Sequence, residues 1–150
     1  MANGKTSSAA TTSSLRPFDL ARDYEAVLAL WRHAGPGVSL SASDSREALA
    51  LKLTRDPDLF LVAEDAGQII GTIIGAFDGR RGMVYHLAVA PEHRHRGVGT
   101  QLLTAVEKRL RERGCRRCYL MVLPENTSAQ EFYRRQGWEI MPVYLMGKEL

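Results

Sequence analysis

The chain has 150 residues, 45% of them hydrophobic and 25% charged, with a formal net charge of +3 at pH 7; that is one domain's worth of chain, long enough for a single core. The composition excludes a chain disordered or membrane-embedded throughout, and no apolar run nears the roughly 18–20 residues of a membrane span. Most of the basic residues lie between Arg80 and Arg135, which favours an anionic partner in that half, although a solvated helix face produces the same count.

Residues 1–13 are small and polar, with one lysine and no apolar stretch. They are expected to form a disordered tail, not a secretory signal, leaving residues 14–150 as one cytoplasmic domain. A short strand is expected at residues 13–17. Leu20, Tyr24, Val27, Leu28 and Trp31 then recur at helical spacing, Gly35, Pro36 and Gly37 stop that helix, and Asp44 is placed to cap a second one reaching Thr54. LFLVAED and IIGTIIGAF read as two strands joined by a tight turn at DAGQ. MVYHLAV, residues 83–89, is apolar on both faces and reads as a central strand.

Gly99, Leu102, Leu103, Val106 and Leu110 mark the inner stripe of a third helix, whose outer side sets Glu107 against Arg111 and Lys108 against Glu112. Gly114 ends it. A fifth strand is read at residues 118–122, then a short helix capped by Asn126 or Thr127 and closed by Gly137, then two final strands at residues 138–140 and 143–148. The order β-α-α-β-β-β-α-β-α-β-β predicts an α/β fold with helices on both faces of a mixed sheet. Cys115 and Cys118 form C-x-x-C just after a helix end, where no dipole lowers a thiol pKa, and no second pair completes a zinc site. Two structural thiols in a reducing compartment, and no metal, are expected.

The stretch PEHRHRGVGTQLL, residues 91–103, sets arginines and glycines where the third helix begins. Helix-start amides lack intrahelical acceptors and the dipole is positive there, so such a turn suits a phosphate diester. It is not a Walker A loop, because no lysine follows Gly99, nor a dinucleotide fingerprint, because Leu102 stands where the third glycine belongs.

With R-x-x-G-x-G running from Arg94 to Gly99, the chain resembles the GNAT superfamily of N-acetyltransferases. Asn126 followed by Phe132, Tyr133, Gly137 and Trp138 matches a second motif of that superfamily. The resemblance implies a mostly antiparallel sheet splayed between its fourth and fifth strands, and acetyl-coenzyme A as co-substrate. It implies that Arg94, His95 and Arg96, with the turn Gly97, Val98, Gly99 and Thr100, wrap the pyrophosphate. Pantetheine would lie along Leu87, Ala88 and Val89, where an amide near Leu87 or Val89 would meet the thioester carbonyl. Asn126 would contact pantetheine and Tyr133 would be the general acid. On the residues alone, Tyr133 is equally a core aromatic beside Phe132, and Asn126 a helix cap.

The general base is open. Relatives with a base on the fourth strand carry it at the positions of Met83 or Tyr85, and neither side chain here suits the task. His86 has the opposite parity on a period-two strand and is expected to point through the other face, as a base or as a hydrogen-bonded core histidine. Glu125 and Asp78 are loop carboxylates that serve equally as surface charges. The ribosomal-protein alanine N-acetyltransferase branch is similar in size but has a glutamate where this chain has Met121. The resemblance places the acceptor pocket at residues 35–43 and 141–144, with Trp31, Tyr85 and Tyr144 as wall or core residues.

The expected function is transfer of acetyl from acetyl-coenzyme A to a primary amine of a small molecule or peptide by direct attack. The alternatives are a coenzyme sensor without turnover and a protein N-terminal acetyltransferase of the alanine type. A homodimer is allowed for. No membrane partner is expected, and no nucleic-acid partner, since the basic helix pairs its charges with Glu107 and Glu112 and lacks aromatic residues for stacking.

Overall fold

A computed structural model describes residues 13–150; apart from Ser13, the tail expected at residues 1–13 lies outside the described residues. Strands β1 (Ser14–Pro17), β2 (Phe60–Asp65), β3 (Gln68–Phe77) and β4 (Gly82–Val89) pair in order as an antiparallel sheet, and β5 (Cys118–Leu120) joins β4 in parallel. Helices α1 (Leu20–Arg32) and α2 (Arg46–Arg55) connect β1 to β2, α3 (Val98–Glu112) crosses from β4 to β5, and α4 (Thr127–Arg135) follows β5.

Alternation along the strands divides the core between the two faces. Phe60, Val62 and Ile74 pack with Val27, Trp31 and Leu49 on the α1 and α2 side, whereas Leu61, Ala63 and Ile73 pack with Leu102, Leu103 and Val106 beneath α3. Each large side chain buried in this way contributes roughly 1.5–3 kcal/mol. The sheet is therefore covered on both faces, as the predicted element order requires.

The third helix and the five long elements before it begin and end close to their predicted positions, but four details differ. Asp44 does not cap α2. Ser45 does, its Oγ accepting the Ala48 N–H at 3.2 Å, while Asp44 closes a 3₁₀ turn, Ala42–Asp44, and its Oδ2 accepts the Ser41 N–H at 2.8 Å. The fifth strand stops at Leu120. The two final strands are not formed: residues 138–150 carry no ladder hydrogen bonds, although their apolar composition reads as strand.

The fourth difference is in β4. Its register with β3 shifts between Thr72 and Ile74, and His86 sits in the bulge with φ +47°. An extra residue reverses the parity of everything after it. Val84 packs on the α3 side, and beyond the bulge so do Leu87 and Val89, while Ala88 packs on the α1 side. Trp31 Nε1 donates to Thr72 Oγ1 at 2.8 Å, and that hydroxyl donates to the His86 carbonyl at 2.9 Å, holding the bulge in place.

Only Gly82, Met83 and Val84 of β4 pair with β5. From Tyr85 to Val89 the strand is bonded to β3 alone and its other edge is open. This is the expected splay.

Candidate active site

The open edge of β4 runs into the glycine-rich turn. Gly97 is the N-cap of α3 with φ +84°, a left-handed conformation that disfavours a Cβ. No side chain caps this helix, and none of the six amides from His95 to Thr100 finds an acceptor among the described residues; the ladder starts with the Gln101 N–H donating to the Gly97 carbonyl at 3.0 Å. Backbone donors left unpaired in a run bond to water or to a ligand, and the positive end of a helix dipole favours an anion there. His95, itself at φ +61°, and Arg96 stand exposed on the turn.

Arg94 is used differently from the expectation. Its Nε donates to the Val89 carbonyl at 3.0 Å and its Nη2 to the Ala34 carbonyl at 3.0 Å, so it clamps the end of β4 to the end of α1. Its remaining guanidinium donors are what it can offer a phosphate. The Ala90 amide donates to Ile70 on β3 at 2.8 Å. Since successive amides of a strand alternate sides, the Val89 N–H points to the open edge, and so does that of Leu87 two residues earlier.

The turn, β4 and α4 meet at Gly99. A Cβ there would lie 3.4 Å from Phe132 Cζ and 3.8 Å from Val89 Cγ2, so Gly99 serves the approach of α4 and is not itself the open floor of the cradle. Thr100 Oγ1 accepts from Gln136 Nε2 at 3.2 Å, a second link to the end of α4. Asn126 caps α4, its Oδ1 accepting the Ala129 N–H at 3.2 Å, and its Nδ2 reaches the loop after α1, 3.1 Å from where a Cβ on Gly37 would be. Capping thus occupies the oxygen and leaves the NH₂ group facing that loop.

Tyr133 packs edge-on against Phe132 and Trp138, with ring centroids 5.2 and 6.0 Å apart. Burial pushes its hydroxyl pKa up to about 12, so the phenol holds its proton at neutral pH and can only donate it. Both readings of this residue, aromatic packing and proton donor, are compatible with one position.

His86 occupies the face the parity argument denied it. Its ring lies 4.6 Å from that of Trp31, and Nε2 donates to Asp44 Oδ1 at 2.8 Å. With Nε2 carrying the proton, the neutral ring keeps its lone pair on Nδ1. That atom makes no hydrogen bond among the described residues and is not among the buried atoms without partners. Asp44 was read only as a cap, and nothing local in the sequence links it to a residue on β4.

The other sequence candidates separate from the site. Asp78 accepts the Arg80 and Arg81 amides at 2.6 and 2.7 Å in the turn before β4, bonds that hold its carboxyl below the usual range. Glu125 is exposed ahead of α4. Trp31 is core, and Tyr144 lies on the uncovered C-terminal segment. Cys115 and Cys118 are free, and burial pushes the Cys118 thiol up to about 11, away from reactivity. Among the described residues no cluster suits a metal ion, and no helix is long and apolar enough to cross a membrane.

The acetyltransferase (GNAT) family pattern matches residues 24–138. An acetyltransferase of Sodalis glossinidius is 40% identical over 129 residues, 85% of this chain and 89% of the relative. One of Pectobacterium atrosepticum is 38% identical over 128 residues, with the same coverage. The crystal structure of the PaiA N-acetyltransferase of Thermoplasma acidophilum, in complex with coenzyme A, superposes with a TM-score of 0.76 at 22% identity, covering 89% of this chain and 93% of that one.

Proposed function

The chain belongs to the acetyltransferase (GNAT) family and is an acyltransferase, and from that premise we propose that it transfers acetyl from acetyl-coenzyme A to a primary amine of a small molecule or peptide. The observation that carries this reading is the row of six amides, residues 95–100, with no acceptor among the described residues, directly beyond a strand whose edge is open. A diphosphate followed by an arm with two amides is complementary to those two features in that order.

The coenzyme supplies an acetyl thioester, whose carbonyl carbon is open to attack by a neutral amine. The protein's own groups do the rest. The amides from His95 to Thr100, with Arg96 and the free donors of Arg94, hold the pyrophosphate. Leu87 and Val89 offer N–H and C=O groups to the pantetheine arm, although Arg94 already engages the Val89 carbonyl, and one of their amides stabilises charge on the thioester oxygen. Asn126 Nδ2, facing the loop after α1, is a further donor for the arm.

Two protons must move. The amine gives one up as it attacks, and His86 Nδ1 receives it, with Asp44 fixing the tautomer and orientation of the ring. The leaving thiolate needs one, and Tyr133 provides it from a hydroxyl that burial keeps protonated. Glu125, exposed and bonded to nothing through its side chain among the described residues, is the weaker base.

Following free-thiol release from acetyl-coenzyme A across a panel of amines and peptides tests this. Amine-dependent release with an acetylated product is expected. Saturable coenzyme binding with no amine-dependent release would replace it with the sensor reading, and release confined to peptides with a free N-terminus would favour the protein N-terminal one.

A further inference from the structure

A hydroxyl is buried where the sheet could be all hydrocarbon. Thr72, at 0% exposure, sits on the face of β3 that meets α1, between Val62 of β2 and Ala88 of β4. Valine would fill nearly the same volume with no polar atom to satisfy, so a threonine here is stable only through its hydrogen bonds.

The direction of those bonds is forced. An indole N–H can only donate and a backbone carbonyl can only accept. The hydroxyl therefore receives the proton of Trp31 Nε1 at 2.8 Å and gives its own to the His86 carbonyl at 2.9 Å. Trp31 thus fixes which way the Thr72 proton points. Without the hydroxyl the buried indole would lose its acceptor and the carbonyl its donor.

That carbonyl belongs to the bulge. Between the pairs Thr72–Ala88 and Ile74–Tyr85 the ladder sets His86 and Leu87 together against Ile73. His86 takes the left-handed position, φ +47°, that glycine fills in the commoner bulge of this kind. The bulge brings the His86 ring to 4.6 Å from that of Trp31 and its Nε2 to 2.8 Å from Asp44 Oδ1. The extra residue also decides that Leu87 and Val89, and not Ala88, turn their amides to the open edge of β4.

We propose that Thr72 is a positioning residue for acetyl transfer. By holding one carbonyl it aims both the proton acceptor and the amides that face the thioester. Fully buried, it touches neither coenzyme nor amine and acts through His86 alone. The assignment rests on the reading of His86 as the base and of the β4 edge as the seat of the thioester.

Thr72→Val, Thr72→Ser and the parent should be compared by steady-state kinetics, by calorimetric titration of the coenzyme, and by ¹⁵N shifts of the neutral His86 ring, which report the nitrogen carrying the proton. Thr72→Val should lower kcat on the order of 10²-fold, as a small misplacement of reacting groups does. Coenzyme affinity should fall by less than about tenfold, since the turn at α3 keeps its grip. The ring should change from a single Nε2–H tautomer to a mixture of two. Thr72→Ser, which keeps the hydroxyl, should restore both the rate and the tautomer. If Thr72→Val does not fold, Thr72→Val combined with Trp31→Phe removes the buried donor together with its acceptor and should show the same losses. A single Nε2–H tautomer in the folded valine variant would overturn the positioning role whatever the rate. A mixed tautomer with the parent kcat would instead overturn His86 as the base, and the catalytic role of Thr72 with it.

Discussion

His86 Nε2 donates a 2.8 Å hydrogen bond to Asp44 Oδ1, across 42 positions of sequence. The contact exists because His86 sits in a left-handed bulge, a conformation costing roughly 1–2 kcal/mol for a residue with a Cβ. Thr72 and Trp31 hold that bulge through two further hydrogen bonds. Strain maintained by surrounding contacts is common where a side chain has chemistry to do.

If His86 accepts the amine proton, His86→Gln should lower kcat by on the order of 10²-fold or more while leaving coenzyme affinity within about twofold. Asp44→Asn keeps an acceptor for the Ser41 amide but removes the charge and frees the tautomer, so its loss should be smaller, roughly 10- to 100-fold. The check is a pH profile of kcat beside calorimetric titration of the coenzyme. A His86→Gln enzyme with the parent profile would leave the histidine a purely structural role.

Tyr133→Phe should lower kcat on the order of 10²-fold without weakening coenzyme binding, because only the proton donor is lost. The same residue makes a stability prediction. Its pKa is raised by burial from 10.0 to about 12, so the folded state retains the proton longer than the unfolded one. The resulting stabilisation is complete below pH 10 and is lost as pH rises through 12, by on the order of 2 kcal/mol. Urea unfolding at pH 9 and pH 11 should show the parent losing more stability than Tyr133→Phe across that interval; equal losses would contradict it.

The two turn glycines should behave differently. Gly97→Ala meets no neighbouring atom but forces a Cβ onto φ +84°, costing roughly 1–2 kcal/mol and turning the unpaired amides away from one another. A fall in melting temperature of about 2–8 °C and at least a tenfold loss of coenzyme affinity are expected. Gly99→Ala places its Cβ at 3.4 Å from Phe132, an ordinary contact, and should be nearly silent. Gly99→Asp adds a negative charge beside the cradle and should abolish binding in a folded protein. Calorimetry on the three variants checks the order, and equal affinities for Gly97→Ala and the parent would remove the cradle.

What could be read from the sequence was whatever depends on neighbours in the chain. The helical stripe of α3, the alternating strands, the glycine-rich turn at the start of α3 and the cap at Asn126 are local, since periodicity and backbone preference act over a few residues. The pattern of amides without acceptors could be anticipated because it needs no distant partner. The open edge of β4 was anticipated only through the likeness to a family, as no local signal marks where two strands part.

The rest was decided by contacts between distant residues. A period-two argument sends His86 through the wrong face because one extra residue in β4 reverses parity, and the bonds that hold it come from β3 and α1. That Arg94 also clamps the Val89 and Ala34 carbonyls is a contact no local pattern could announce. The final strands were expected from their apolar residues, yet composition only makes a segment willing to pair. A strand forms only when a partner edge is within reach in a permitted register, and that depends on the placement of distant elements, which no local pattern encodes.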